Sequence, residues 1–182
     1  MVALNKLGTR QAGSRLATPV GERKKQYLAF GLGGEALAIE IEYVKEVIQY
    51  GDLTQVPMMP PFVRGVINLR GAMVPVIDLS VRFGRGSTEI ARRSCIVILE
   101  VPRADGPLDM GIIVEDVSEV LELAKSDIEP APAFGGDLRS EFLSGVGKVG
   151  SRFVILLDVK HVLSGNELSA LSTGVSGEES AP

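Results

Sequence analysis

Two stretches of the chain carry the same layout 80 positions apart. Val63 to Phe83, VRGVINLRGAMVPVIDLSVRF, is echoed by Gly145 to Leu163, GVGKVGSRFVILLDVKHVL. Gly65 falls on Gly145, Val66 on Val146, Leu69 on Val149, Val74 on Val154, Asp78 on Asp158, and Phe62 on Phe142. A second register lies 73 positions on: Ile39, Glu42, Val44, Glu46 and Val47 meet Ile112, Glu115, Val117, Glu119 and Val120, and Pro57 meets Pro130. Two β-rich segments share aliphatic letters by chance, but they do not also share Gly, Asp, Glu and Pro. The growth of the offset places about seven extra residues in the second copy, around Pro132 to Arg139. The chain therefore reads as one unit folded twice.

That unit is built from strands. Val66–Leu69 runs into Arg70-Gly71 and out through Met73–Leu79, two β-branched runs joined by a glycine turn, which is the pattern of a hairpin. Pro75 lacks an N–H for a ladder, so its strand is expected to lie at an edge or to bulge there. Upstream, Gln26–Phe30, the turn Gly31–Gly34 and Ala36–Ile41 read as another hairpin. Val44–Ile48 fits a helical turn or a strand, and proline-rich Leu53–Phe62 reads as an extended loop. After a polar break at Gly84–Arg93 the pattern restarts with strands over Cys95–Val101, Met110–Val114, Val117–Leu123 and Phe153–Val159. A helix is expected from Val159, continuing through Leu171. The half-boundary is placed in the polar break, giving halves of about 26–84 and 94–165, with strand exchange between them allowed. Each half is near the size at which one core is only marginally stabilising. Runs such as IVIL and FVILL are apolar on both faces and need cover on both sides. An all-β pair of small barrels pressed over a shared core satisfies both demands.

At 182 residues with a net charge of −4, the chain is a poor match for a general nucleic-acid or anionic-lipid binder. No apolar run reaches the length of a membrane span and no signal-peptide pattern opens the chain. One cysteine, Cys95, excludes an internal disulfide and fits a reduced, cytoplasmic setting. Residues 1–25 are basic and residues 172–182 are rich in Gly, Ser and acid; both are expected to be disordered tails.

No set of residues assembles an active site, and no cofactor or metal is expected. Gly145-x-Gly147-x-x-Gly150 matches a dinucleotide fingerprint in letters, but that chemistry needs a helix after the glycines and here a strand follows, so hairpin turns are the reading. His161 is the lone histidine and lacks partners for a zinc site or a triad. Cys95, inside an apolar strand, reads as core. Asp78 and Asp158 end equivalent strands and read as caps for the following turn. Arg70 stands at a hairpin tip where Asn, Asp or Gly is usual. It fits a structural salt bridge and an interface anchor equally well, with Glu46 as its partner or as a second contact.

FVRGVINLRGAMVPVIDLSVRFG, together with MGIIVEDVSEVLEL, IEPAPAF and LSGVGKVGSRFVILLDVKHVL, closely resembles the chemotaxis adaptor family CheW, over about Gln26 to Leu163. The resemblance implies two intertwined five-stranded SH3-like barrels on one core, with a short C-terminal helix. It implies no catalysis. It implies coupling of the cytoplasmic tip of a chemoreceptor to the regulatory domain of a CheA-type histidine kinase, joined end to end into rings in membrane-associated receptor arrays, without nucleic acid and without direct membrane insertion. By motif, Val44, Gly65, Val117, Val120 and Gly145 match positions tied to a receptor groove between the halves. Arg70 matches positions tied both to that groove and to the kinase, and Glu46 to the kinase. The output, flagellar or a gliding or pilus pathway, is left open. The rivals from another class are a small-barrel nucleotide binder and a nucleic-acid binder led by the basic tail.

Overall fold

The computed structural model describes residues 22–131 and 140–164. The expectations for the chain before Glu22, for the seven-residue insertion and for a helix beyond Ser164 lie outside these residues. Among the described residues eleven strands form, in order β1 (Lys25–Leu32), β2 (Glu35–Glu40), β3 (Val44–Gln49), β4 (Val63–Leu69), β5 (Ala72–Asp78), β6 (Cys95–Val101), β7 (Leu108–Val114), β8 (Asp116–Leu123), β9 (Ile128–Glu129), β10 (Leu143–Val149) and β11 (Arg152–Leu157). Two short helices, α1 (Leu79–Arg82) and α2 (Val159–Val162), follow β5 and β11. Val44–Ile48, ambiguous in sequence, is a strand entered through a 3-10 turn at Ile41–Tyr43. The helix α1 went unseen in the sequence because four residues carry no helical periodicity. Its repeat mate α2 ends at Val162.

The strands form two sheets, β3-β6-β7-β5-β4 and β8-β1-β2-β11-β10-β9. The sequence repeat and the sheets do not share boundaries. Each half gives its first hairpin to the other half's sheet: β1–β2 joins β8 and β11, while β6–β7 joins β3 and β5. The breaks between sheets thus fall after Glu40 and after Val114, not in the polar stretch at Gly84–Arg93, and the halves are intertwined. Two parallel pairings seal the exchange, Val76 beside Gly111 and Leu156 beside Ala38. These four residues are repeat mates at the two sequence offsets, so the interlock obeys the same pseudo-twofold symmetry as the letters. The second sheet has six strands instead of the expected five because β9 counts as a strand; its first-half equivalent is the single bridge Thr54–Val66.

Alternation along the strands sorts side chains into three cores. On β6, Ile96 and Ile98 fill the first barrel with Val74, Val76 and Ile113, while Val97, Leu99 and Val101 face the opposite way. On β1, Tyr27 and Ala29 fill the second barrel, while Leu28 and Phe30 face out of it. The outward-facing sets meet in one central cluster that also holds Phe62, Leu79, Phe83, Phe142, Val159 and Val162. This is the physical content of IVIL and FVILL, each lining a barrel on one face and the shared core on the other.

Pro75 is tolerated because of two local facts. Thr54 exchanges both backbone hydrogen bonds with Val66 (2.9 and 2.8 Å), so Val66 turns no donor or acceptor toward its opposite number, Pro75. On the other side, pairing with β7 begins only at Val76. Proline therefore sits in β5 at a point where its missing N–H is not needed.

Candidate functional site

The seven residues singled out in the sequence fall into different environments. Val44 and Val117, repeat mates, are partly buried and pack against the central cluster, with Ile41, Tyr43, Met59, Val63 and Leu143. These partly buried side chains, drawn from both halves, rim the shared central cluster. Val120 is not part of it. It is 50% exposed on β8, and its repeat mate Val47 is likewise exposed on β3.

Gly65 and Gly145 are buried, and their space is already taken by the protein's own backbone. A Cβ on Gly65 would stand 2.7 Å from the Thr54 carbonyl oxygen, and one on Gly145 would stand 2.8 Å from that of Glu129. Each glycine sits at a bulge and lets a neighbouring segment close the barrel beside it. Gly65→Ala is therefore expected to lower stability by about 1–3 kcal/mol through overpacking against an unyielding carbonyl. Urea unfolding measures this, and an unchanged midpoint would show that the Thr54 segment gives way freely. In the fingerprint stretch, Gly145 and Gly147 lie inside β10 and only Gly150 makes a turn (φ +61°), so no phosphate loop exists there. Gly147 faces the second barrel, where a Cβ would meet Leu123.

Arg70 and Glu46 meet in a bidentate pair. Arg70 donates through Nη1 and Nη2 to the two Glu46 carboxylate oxygens at 3.1 and 2.9 Å. The pair forms because Arg70 (φ +54°) and Gly71 (φ +88°) make a two-residue turn of the type I′ kind between Leu69 and Ala72. Asn68 Oδ1 accepts from the Gly71 N–H at 2.9 Å and fixes the corner. The guanidinium is held in place yet 77% exposed. On β3, next to Glu46, Lys45 donates to Asp109 of β7 at 2.9 Å, and this hydrogen bond raises the ammonium's pKa. The two readings of Arg70, salt bridge and presented anchor, are thus compatible in one geometry.

The second barrel repeats the arrangement with different residues. Arg152, at the start of β11, reaches Glu119 on β8 at 3.4 Å, and Glu119 is the repeat mate of Glu46. Exposed apolar side chains adjoin both pairs in sequence: Val47 with Met73 in the first, Val120 with Phe153 in the second. Met73 and Phe153 are themselves repeat mates 80 positions apart. Reasoning from single motifs passed over this second pair: the repeat offsets lead from Glu46 to Glu119 and from Met73 to Phe153, but Arg152 left no such signal, because the mate of Arg70 is Gly150 and that of Arg152 is Ala72.

The remaining candidates take structural places. Asp78 and Asp158 each cap the helix that follows, accepting from Ser80 N (3.0 Å) and His161 N (3.2 Å). His161 Nδ1 lies 2.8 Å from Asp158 Oδ2 on the surface. Cys95 is partly buried against the central cluster. Among the described residues no cluster of His, Cys, Asp and Glu could hold a metal ion, and no helix is long and apolar enough to cross a membrane.

Residues 26–167 match the family model described as the CheW-like domain. The chain belongs to the CheW-like family. It is 37% identical over 145 residues to the chemotaxis protein CheW of Klebsiella aerogenes, a match covering 80% of this chain and 85% of that one. Protein FrzA of Myxococcus xanthus is 31% identical over 123 residues, 68% and 74% of the two chains. The crystal structure of the scaffolding protein TtCheW from Thermoanaerobacter tengcongensis superposes with a TM-score of 0.70 at 32% identity, covering 80% of this chain and 91% of that one. The intertwined barrels described above are thus the CheW-like architecture.

Proposed function

We propose that this chain is a non-enzymatic adaptor that couples the cytoplasmic tip of chemoreceptors to the regulatory domain of a CheA-type histidine kinase, and is thereby recruited to membrane-associated receptor arrays. The observation that carries the reading is the pair of exposed ends related by the repeat: Glu46–Arg70 with Val47 and Met73, and Glu119–Arg152 with Val120 and Phe153. Each combines a charge pair with exposed apolar side chains nearby in sequence, the residue types of an interface anchor. Two like ends on one rigid body let an adaptor engage neighbours on both sides, so individually modest contacts gain from multivalency. Between them the apolar rim around Val44 and Val117 suits the apolar stripe of a receptor helix. In this arrangement Arg70 and Glu46 serve the kinase, while Gly65 and Gly145 act indirectly by closing the barrels that shape the groove.

Pull-down of a receptor cytoplasmic fragment and of the kinase regulatory domain tests this. The unaltered chain is expected to bind both. Arg70→Ala is expected to weaken kinase binding about 5- to 30-fold, the range for losing an anchor worth about 1–2 kcal/mol. A folded protein that binds neither partner would overturn the adaptor reading. Undiminished binding by Arg70→Ala would return Arg70 to a purely structural role.

A further inference from the structure

Among the described residues, Arg70 and Met58 are the non-glycine residues with positive φ. For Arg70 the hairpin turn accounts for it. For Met58 the fold offers no such return. Pro57 and Met58 form the corner of a turn, and Met58 has φ +62°. Proline followed by a left-handed residue is the pattern of a type II turn, whose third position takes glycine or asparagine. A methionine there is disfavoured by its own Cβ. Its side chain is 101% exposed, so no packing offsets the unfavourable backbone. A long apolar side chain is thus held fully in water, in a conformation that another residue would adopt more readily. Conflicts of this kind between local preference and observed structure gather where partners bind.

The surroundings say which partner. Pro57, Pro60 and Pro61 stiffen the loop, and the Pro60 carbonyl accepts from Val63 N at 2.9 Å. The next residue, Met59, is partly buried on the same central cluster as Val44, Val63, Val117 and Leu143. Met58 therefore projects from a loop whose next residue is seated on that cluster, its backbone pre-placed at little ordering cost. A flexible, polarizable thioether adapts well to the ridges of an amphipathic helix.

We infer that Met58 is an apolar anchor for the helical receptor tip, contacting the helix from the first-half side of the groove and setting which helix faces are accepted. This rests on the adaptor reading above and adds a specificity-determining residue to it. Met58→Asn separates the anchor from any structural role, because the two predict opposite signs. Relief of the turn is expected to raise the melting temperature by about 2–4 °C. Affinity for the receptor fragment is expected to fall about 5- to 10-fold. Met58→Leu, which keeps the apolar bulk, is expected to bind within about 2-fold of the unaltered chain, and both variants are expected to bind the kinase regulatory domain normally. Receptor binding by Met58→Asn equal to that of the unaltered chain would overturn the inference alone. An equal loss toward the kinase domain would also overturn it, by assigning Met58 to the other partner. Failure of the unaltered chain to bind any receptor fragment would overturn the inference and the adaptor reading together.

Discussion

Asp78→Ala is expected to lower the free energy of unfolding by about 3–5 kcal/mol, the cost of breaking a buried charge pair from one side. The same substitution at its repeat mate, Asp158→Ala, is expected to cost only about 1 kcal/mol, the worth of a helix cap. Asp78 has no solvent exposure. Its carboxylate accepts from Ser80 N at 3.0 Å, Thr88 N at 2.9 Å, Thr88 Oγ1 at 2.6 Å and Arg64 Nη1 at 2.7 Å. Those donors are largely enclosed: Thr88 is 4% and Ser80 9% exposed. Removing the carboxylate would strand them where water does not reach, and Arg64, whose side chain is 31% exposed, would recover only part of its loss by turning outward. Asp158 has a 31% exposed side chain, and its partners, His161 N and Nδ1, belong to an exposed residue of α2. Urea unfolding of the two variants side by side checks the contrast. Equal losses would show that the Arg64–Thr88 network adds nothing to the cap.

The same two aspartates mark how far the sequence could be read. Their equivalence as caps was legible because the repeat aligned them and the chemistry of a strand-to-helix turn favours Asp. Their inequality was not, because it depends on what faces them. Arg64 has Ser144 as its repeat mate, and Thr88 reaches Asp78 from the polar stretch taken in sequence for a mere boundary. The hairpin exchange was hidden for a similar reason. Parallel contacts such as Val76–Gly111 and Leu156–Ala38 join residues far apart in sequence and leave no local mark. At the candidate site, the Arg70 turn and its Glu46 partner were legible from composition and spacing. Gly65 and Gly145 were matched by motif to the groove, and what approaches each of them in the fold, invisible in the sequence, is a carbonyl of the chain itself. Val120, matched to the groove by motif, lies exposed on β8 as its repeat mate Val47 does on β3.

Arg82→Ala is the second large loss expected, about 2–4 kcal/mol, and it acts on the junction between the halves. From α1 the guanidinium crosses to the end of α2, where Nε donates to the Val162 carbonyl at 3.2 Å and Nη2 to the Ser164 carbonyl at 3.1 Å. Its carbon lies 4.8 Å from the Phe62 ring centre and 5.3 Å from that of Phe142. Those rings are repeat mates, 6% and 3% exposed, so one cation touches both halves at symmetric positions. The repeat mate of Arg82 is Val162, which means the clamp exists once and the second half has no reciprocal tie from that position. Charged hydrogen bonds to carbonyls are worth about 1.5–3 kcal/mol each when one end is buried. Cation–π contacts add about 0.5–1 kcal/mol, and these terms are coupled and do not sum. Arg82→Lys is expected to recover less than half of the loss, since an ammonium cannot serve two carbonyls and two ring faces as a planar fork does. The position of the damage separates a clamp from general weakening. Amide exchange in Arg82→Ala should rise first at Val162 and Leu163, whose N–H groups bond to Asp158 and Val159 at 2.9 and 3.0 Å within α2. Exchange that rises evenly across both barrels, with α2 no faster than β6, would show that Arg82 contributes only bulk stability and that the halves are held by the shared core alone.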